Sequence, residues 1–212
     1  MTREEILLIA KPILFNGDMV QAILDNMKST TRRVVKGLDG LDVYRAEPTE
    51  QSLESGDLKE WELTYGFNDS HAFYDAYMEV KSPYKVGGYL YVRETWANLN
   101  TLACPCYYYR ASEELPDWAL GGWKPSIHMP KEAARIFLRV TDVRVERLQD
   151  IEDFVKEGVS PGTHATAHMN YYDEKCDFVV LWNSTIPKKD MDKYSWDANP
   201  WVWVIEFERV EV

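Results

Sequence analysis

Residues 201–210, WVWVIEFERV, constrain this chain more than any other stretch. Trp201, Trp203, Ile205 and Phe207 fall on one face at period two, and Val202, Val204, Glu206 and Glu208 fall on the other. Strict alternation over ten residues predicts a β-strand. A second long strand is predicted around residues 136–145. Ile136, Leu138 and Val140 alternate, but Val143 and Val145 have the opposite parity. A bulge near Thr141-Asp142 accounts for the slip, and barrels use bulges to bend their strands.

Upstream, residues 9–15 (IAKPILF) read as a short buried strand. An amphipathic helix is predicted over about residues 17–27, with Met19, Val20, Ile23, Leu24 and Met27 on one stripe. Asn16 is the expected N-cap and Asn26 the expected terminating turn. MKSTTRRVVK then runs from a loop into a strand. Residues 37–83 are rich in Gly, Asp, Glu and Ser with irregular apolar spacing, and read as a variable insertion with one short helix around residues 71–79. A Gly-Gly turn feeds a strand from Tyr89 to Glu94, and CYYYRA is a further strand candidate. Residues 150–158 are expected to form a short helix, with Asp150 as N-cap and Gly158 as terminator. The order strand, helix, then mostly strands predicts one α+β domain over residues 1–212, a mixed β-barrel with flanking short helices.

The net charge is −11. Gripping a long duplex by its phosphates requires a basic surface, so long duplex DNA is an unfavourable partner. A small ligand or a few nucleotides fits better, held in a locally basic pocket. Aromatic residues make up 13%, with eight Trp and thirteen Tyr, enough for a face that stacks on flat ligands. No apolar run approaches a membrane span, so no membrane partner is expected. The N-terminus lacks a signal-peptide pattern, and three cysteines do not suggest a disulfide framework. The cytoplasm is the expected compartment.

Four segments in order, KPILFNGDMVQAILDNMKSTTRRVV, VGGYLYVRETW, WKPSIHMPKEAARIFLRVTDVRVERLQDI and SWDANPWVWVIEFERV, resemble the ASCH family of the PUA-like superfamily, especially its larger phage and prophage members. The resemblance covers most of the chain except roughly residues 37–83 and 159–180. The family signature is Gly-x-Lys-x-x-Glu-x-Arg. Asn26 stands at its Gly position, Lys28 matches, Thr31 stands at the Glu position and Arg33 matches. Threonine at that position occurs in members with hydrolase activity.

The resemblance implies a PUA-like barrel and a protein that handles a nucleobase, a nucleoside or RNA. Members that hydrolyse N4-acetylcytidine use a Lys, a Thr and a Glu, which correspond by position to Lys28, Thr31 and Glu157. Amide hydrolysis needs a nucleophile, a base and an acid for the leaving amine. Thr31 supplies the hydroxyl. Lys28 is the base if burial depresses its pKa, and Glu157 is the acid if an apolar pocket raises its own. Direct or one-water contact between Lys28 and Thr31 is then expected. Arg33 is expected to hold a phosphate or stabilise an oxyanion. The alternatives are a non-catalytic RNA- or nucleotide-binding module, with short single-stranded RNA or a modified nucleoside as partner, and a phage accessory protein that binds a host protein through its acidic surface. No cofactor is implied.

Two further groups are candidate ligand contacts. Arg93, Glu94 and Trp96 end a strand, where Trp96 is placed to stack on a base and Arg93 to contact its edge or a phosphate. The competing reading is an internal Arg–Glu pair with Trp96 in the core. The loop from Trp123 to Pro130, stiffened by two prolines, offers Ser126 and His128 to a pocket. Cys104-Pro-Cys106 and His164-x-x-x-His168 carry zinc-ligand residue types, but the spacing is not that of a zinc knuckle and no metal is expected.

Overall fold

A computed structural model describes residues 1–212 except 39, 70, 71, 102, 103, 120 and 162–165. The elements are α1 (Arg3–Ile9), β1 (Lys11–Leu14), α2 (Gly17–Leu24), β2 (Thr30–Val34), β3 (Asp42–Pro48), α3 (Glu50–Ser55), β4 (Glu60–Asp69), β5 (Ala72–Lys81), β6 (Tyr89–Arg93), β7 (Trp96–Thr101), β8 (Cys104–Tyr109), β9 (Phe137–Arg147), α4 (Ala167–Thr185), α5 (Met191–Tyr194) and β10 (Trp201–Val210). Among the described residues no helix is long and apolar enough to cross a membrane.

The strands form a five-stranded mixed sheet in the order β1-β6-β9-β10-β2, a three-stranded sheet β3-β4-β5, and the hairpin β7-β8. The long alternating strands lie at the heart of the first sheet. β10 pairs antiparallel with β9 on one side and β2 on the other. Its two faces feed two cores. Trp203, Ile205 and Phe207 pack with Val20 and Ile23 of α2 and with Val43, Trp61 and Leu63 of the three-stranded sheet. Val202 and Val204 pack with Phe154, Trp196, and Phe178 and Trp182 of α4. Burial on both faces explains why β10 is apolar on both until Glu206. The bulge lies where the parity slip predicts it: Glu206 pairs with Asp142 and Phe207 with Val140, leaving Thr141 as the extra residue.

α2 forms as its stripe and cap require. Asn16 accepts a hydrogen bond from the Met19 N–H at 2.8 Å, and Asn26, at φ 57°, turns the chain out of the helix.

Three expectations are corrected. First, the strands do not close into a barrel among the described residues: β1 and β2 are the two edges of the five-stranded sheet and do not pair. One side chain spans that seam, Arg33 of β2 donating from Nη2 to the Leu14 carbonyl of β1 at 3.1 Å. Second, the helix expected over 71–79 is instead β5, which pairs residue for residue with β4 from Glu60–Lys81 onward. Ladder hydrogen bonds override the local helix-forming composition. Residues 37–83 thus hold an ordered three-stranded sheet that contributes to the core. Third, residues 150–158 hold no α-helix, only 3₁₀ turns at Leu148–Asp150 and Val155–Glu157. The side chain of Asp153, not Asp150, accepts from the Val155 and Lys156 N–H groups at 3.1 and 3.2 Å. Gly158 ends the second turn at φ 92°.

Candidate functional site

The unclosed seam between β1 and β2 is a cleft of about 1070 Å³. Leu14 and Phe15 form one wall, residues 31–36 of the β2 segment another, and Met78, Tyr84 and Trp182 extend it outward. Thr31, Arg33, Glu157 and Ser126 all line it.

Lys28 lies behind this cleft, its side chain fully buried. Its Nζ donates to the Thr30 carbonyl at 2.7 Å and the Glu157 carbonyl at 2.6 Å, and lies 3.5 Å from Glu157 Oε2. It also stands 5.5 Å from the centre of the Phe15 ring, within cation–π range. The Val155–Glu157 turn packs against β2, with the Ser29 N–H donating to the Lys156 carbonyl at 3.0 Å. This brings Glu157 to Lys28 across 129 residues of sequence. Burial pulls the Lys28 amine down from its ordinary 10.5 to about 8, against the attraction of the Glu157 charge; the charges of Arg33 and Arg32 add to the lowering.

Arg32 belongs to the same cluster, although the sequence reading passes over it. Its Nη1 pairs with Glu157 Oε1, and its Nη2 pairs with Glu146 Oε2 at 3.2 Å. Alternation along β2 puts Arg32 on the opposite face from Thr31 and Arg33, so the pattern gives no sign of it. It reaches Glu157 because the 3₁₀ turn sits at the strand's edge. Glu157 therefore lies between two cations rather than in the apolar pocket expected for a proton donor.

Thr31 is buried. Its hydroxyl accepts from Arg33 Nη1 at 2.9 Å. No direct hydrogen bond joins it to the Lys28 amine, which bonds the carbonyl one residue earlier. Arg33 also donates to the Arg32 and Leu14 carbonyls and lies 5.5 Å from the Phe15 ring. Burial pulls its guanidinium below its ordinary value.

The second predicted cluster adjoins the cleft without its three named side chains lining it: Thr95 lines the cleft and Arg93 pairs with Leu14 of its wall, whereas Arg93, Glu94 and Trp96 do not face into it. Arg93 donates from Nε to the Met129 carbonyl at 3.0 Å and from Nη2 to the Ile127 carbonyl. Glu94 is buried and takes a two-pronged bond from Arg135, at 2.8 and 2.9 Å. Trp96 is buried among Ile6, Tyr91 and Met129, with Lys124 Nζ 4.9 Å from its ring centre. The internal arrangement thus holds for Glu94 and Trp96, with Arg135 rather than Arg93 as the partner. Within this loop Ser126 reaches the cleft, whereas His128 is exposed and does not line it.

Of the zinc-ligand residue types, His164 and the Cys104 side chain lie outside the described residues. Cys106 is a free thiol, and His168 packs edge-on against Tyr172 at 4.8 Å. Among the described residues no group of three His, Cys, Asp or Glu is placed to hold a metal.

No known family, curated protein or solved structure matches the chain.

Proposed function

We propose that this chain is an ASCH-type, PUA-like protein that handles a nucleobase or nucleoside in the β1–β2 cleft, with hydrolysis of the N4-acetylcytidine amide as its reaction. The observation that supports this reading best is the meeting of Lys28, Thr31 and Glu157 at one cleft, two of them lining it and the third bonded behind it. In this scheme the Thr31 hydroxyl attacks the acetyl carbonyl. Cytidine leaves with a proton on its amine, and water then cleaves the threonyl ester to release acetate. Lys28, with its pKa near 8, is roughly one-tenth neutral at pH 7. After a small shift from the Thr30 carbonyl it takes the hydroxyl proton and hands it to the leaving amine; in the second step it takes a proton from water and returns it to the Thr31 oxygen. Glu157, paired to two cations, accepts from the amino or amide N–H of the base.

A second reading, a binding module without turnover, draws support from one observation. The Lys28 donors and the Thr31 hydroxyl are already engaged by protein groups. Incubation with N4-acetylcytidine, with cytidine and acetate read by mass, separates the two. Release by the natural protein and none by Thr31→Ala supports the enzyme. Binding of the nucleoside with no release supports the module. Neither binding nor release across a panel of modified nucleosides rejects both.

A further inference from the structure

The cations around the cleft are not equally neutralised. Lys28 has Glu157, Arg32 has Glu157 and Glu146, and Lys81 has Glu60 at 2.7 Å. Arg33 has no carboxylate within ion-pair distance among the described residues. Its three protein bonds all go to neutral oxygens: the Thr31 hydroxyl and the carbonyls of Arg32 and Leu14. A partly buried guanidinium hydrogen-bonded only to neutral acceptors, with no paired carboxylate, leaves charge available to a ligand. Those three bonds fix its plane and leave the Nε–H and one Nη2 hydrogen for a ligand. A guanidinium is a group suited to bidentate contact with an oxyanion.

The surroundings agree. Lys36, exposed, lines the same cleft a short way along the strand. Arg32, Arg33, Lys36 and Lys81 stand at the cleft against Glu79 and Glu157, so it is locally cationic in a chain of net charge −11. β2 is an edge strand. The Val35 N–H bonds the Trp201 carbonyl and the Phe207 N–H bonds the Ser29 carbonyl, so the odd residues of this segment face β10. The N–H groups of Arg32 and Val34 therefore point out along the open edge, where an anion's oxygens can accept them. The volume of about 1070 Å³ lies at the upper end of what small-ligand sites use, leaving room beyond a single base and sugar.

We propose that Arg33 is the phosphate anchor of the cleft, and that the ligand is a nucleoside monophosphate rather than a free nucleoside. This rests on the nucleoside reading above and adds to it a charged group with a named partner.

The test is calorimetric titration of the intact chain with cytidine, cytidine 5′-monophosphate and inorganic phosphate, at low and at physiological salt. The monophosphate is expected to bind roughly ten- to a hundredfold tighter than cytidine, the range of a charge-assisted hydrogen-bonded contact. Arg33→Gln should bring that ratio close to one, and Arg33→Lys, which keeps the charge but loses the fork, should keep part of it. Thermal melts of both variants establish that they are folded, and because the readout is a ratio within each variant, a general loss of affinity does not imitate the effect. The ratio should also shrink as salt rises. Equal affinity for cytidine and its monophosphate overturns the proposal, as does a gain that survives Arg33→Gln. Binding of monophosphate and inorganic phosphate alike, with cytidine silent and both lost in Arg33→Gln, keeps Arg33 as an anion site and removes the nucleoside reading.

Discussion

Glu157 divides its carboxylate between two buried cations: Oε2 lies 3.5 Å from Lys28 Nζ, and Oε1 takes the Arg32 guanidinium. One negative charge thus serves two positive ones, Lys28 from the loop before β2 and Arg32, which also has Glu146, from the strand itself. Removing the Glu157 charge leaves Lys28 without a carboxylate and Arg32 with Glu146 alone, in a poorly solvated place.

Glu157→Gln is therefore expected to destabilise the fold by about 3–5 kcal/mol, the usual cost of breaking a buried ion pair from one side. Urea unfolding measures it. Lys28→Met in the Glu157→Gln background should cost much less than Lys28→Met alone, because the charge it removes is already uncompensated. Strictly additive single and double variants would show that the two side chains do not interact.

The Lys28 amine gives stability a defined pH dependence. Its pKa is about 8 in the folded chain and near 10.5 when unfolded. Between those values the unfolded chain binds more protons at this residue. Unfolding free energy from this group therefore rises with pH from about 8 to 10.5, and that gain is lost as pH falls through 8. The difference between the natural protein and Lys28→Met should carry this slope in denaturant titrations across the alkaline range. A flat difference would place the Lys28 pKa near its ordinary value.

The parts of this fold legible in the sequence are those where one periodicity governs many residues. Ten alternating residues make β10 unmistakable, the parity slip locates the Thr141 bulge, and a stripe with its Asn16 cap defines α2. The three-stranded sheet gives no such signal. Its exposed face carries Glu47, Glu62 and Glu79 directly opposite one another across three strands. Such a row is unfavourable in isolation, and the ladders together with the burial of Val43, Trp61 and Leu63 beneath it hold the sheet in place. α4 escapes notice because its apolar residues are spread around the helix and it buries chiefly Phe178 and Trp182. In the site, Lys28, Thr31 and Arg33 were accessible through a family-like spacing, whereas Arg32 was not. Its role depends on a 3₁₀ turn docking at the strand edge, a contact across more than a hundred residues.

Gly158 fixes where that turn ends. It sits at φ 92°, and a Cβ there would lie 3.0 Å from Lys28 Cδ and 3.4 Å from Ala22 Cβ. The Lys28 stem is held at its far end by hydrogen bonds to the Thr30 and Glu157 carbonyls and has little freedom to retreat. Gly158→Ala should cost about 1–2 kcal/mol for the left-handed backbone alone, with a further loss from the displaced lysine. It should also move the Lys28 titration measured by NMR on labelled lysine side chains. An unchanged midpoint together with an unchanged titration would mean the turn ends without needing glycine.

Arg93 tests whether the second predicted cluster serves the ligand or the scaffold. Its guanidinium is committed to the Met129 carbonyl at 3.0 Å and to the Ile127 carbonyl, and it does not line the cleft. It thereby ties the end of β6 to the loop that carries Ser126 into the cleft. A charged donor serving two main-chain acceptors contributes about 2 kcal/mol. Arg93→Met is expected to lower stability by that order and to speed amide exchange at residues 126–130, with little change at β10. Nucleotide affinity should fall only modestly, through the loosened Ser126 loop, and should keep its salt dependence, because no charge facing the ligand has been removed. A direct ligand contact predicts the reverse: a steep loss of affinity, a weaker dependence on salt and unaltered exchange in the loop. Measuring affinity at two salt concentrations beside hydrogen exchange on the same variant decides between them.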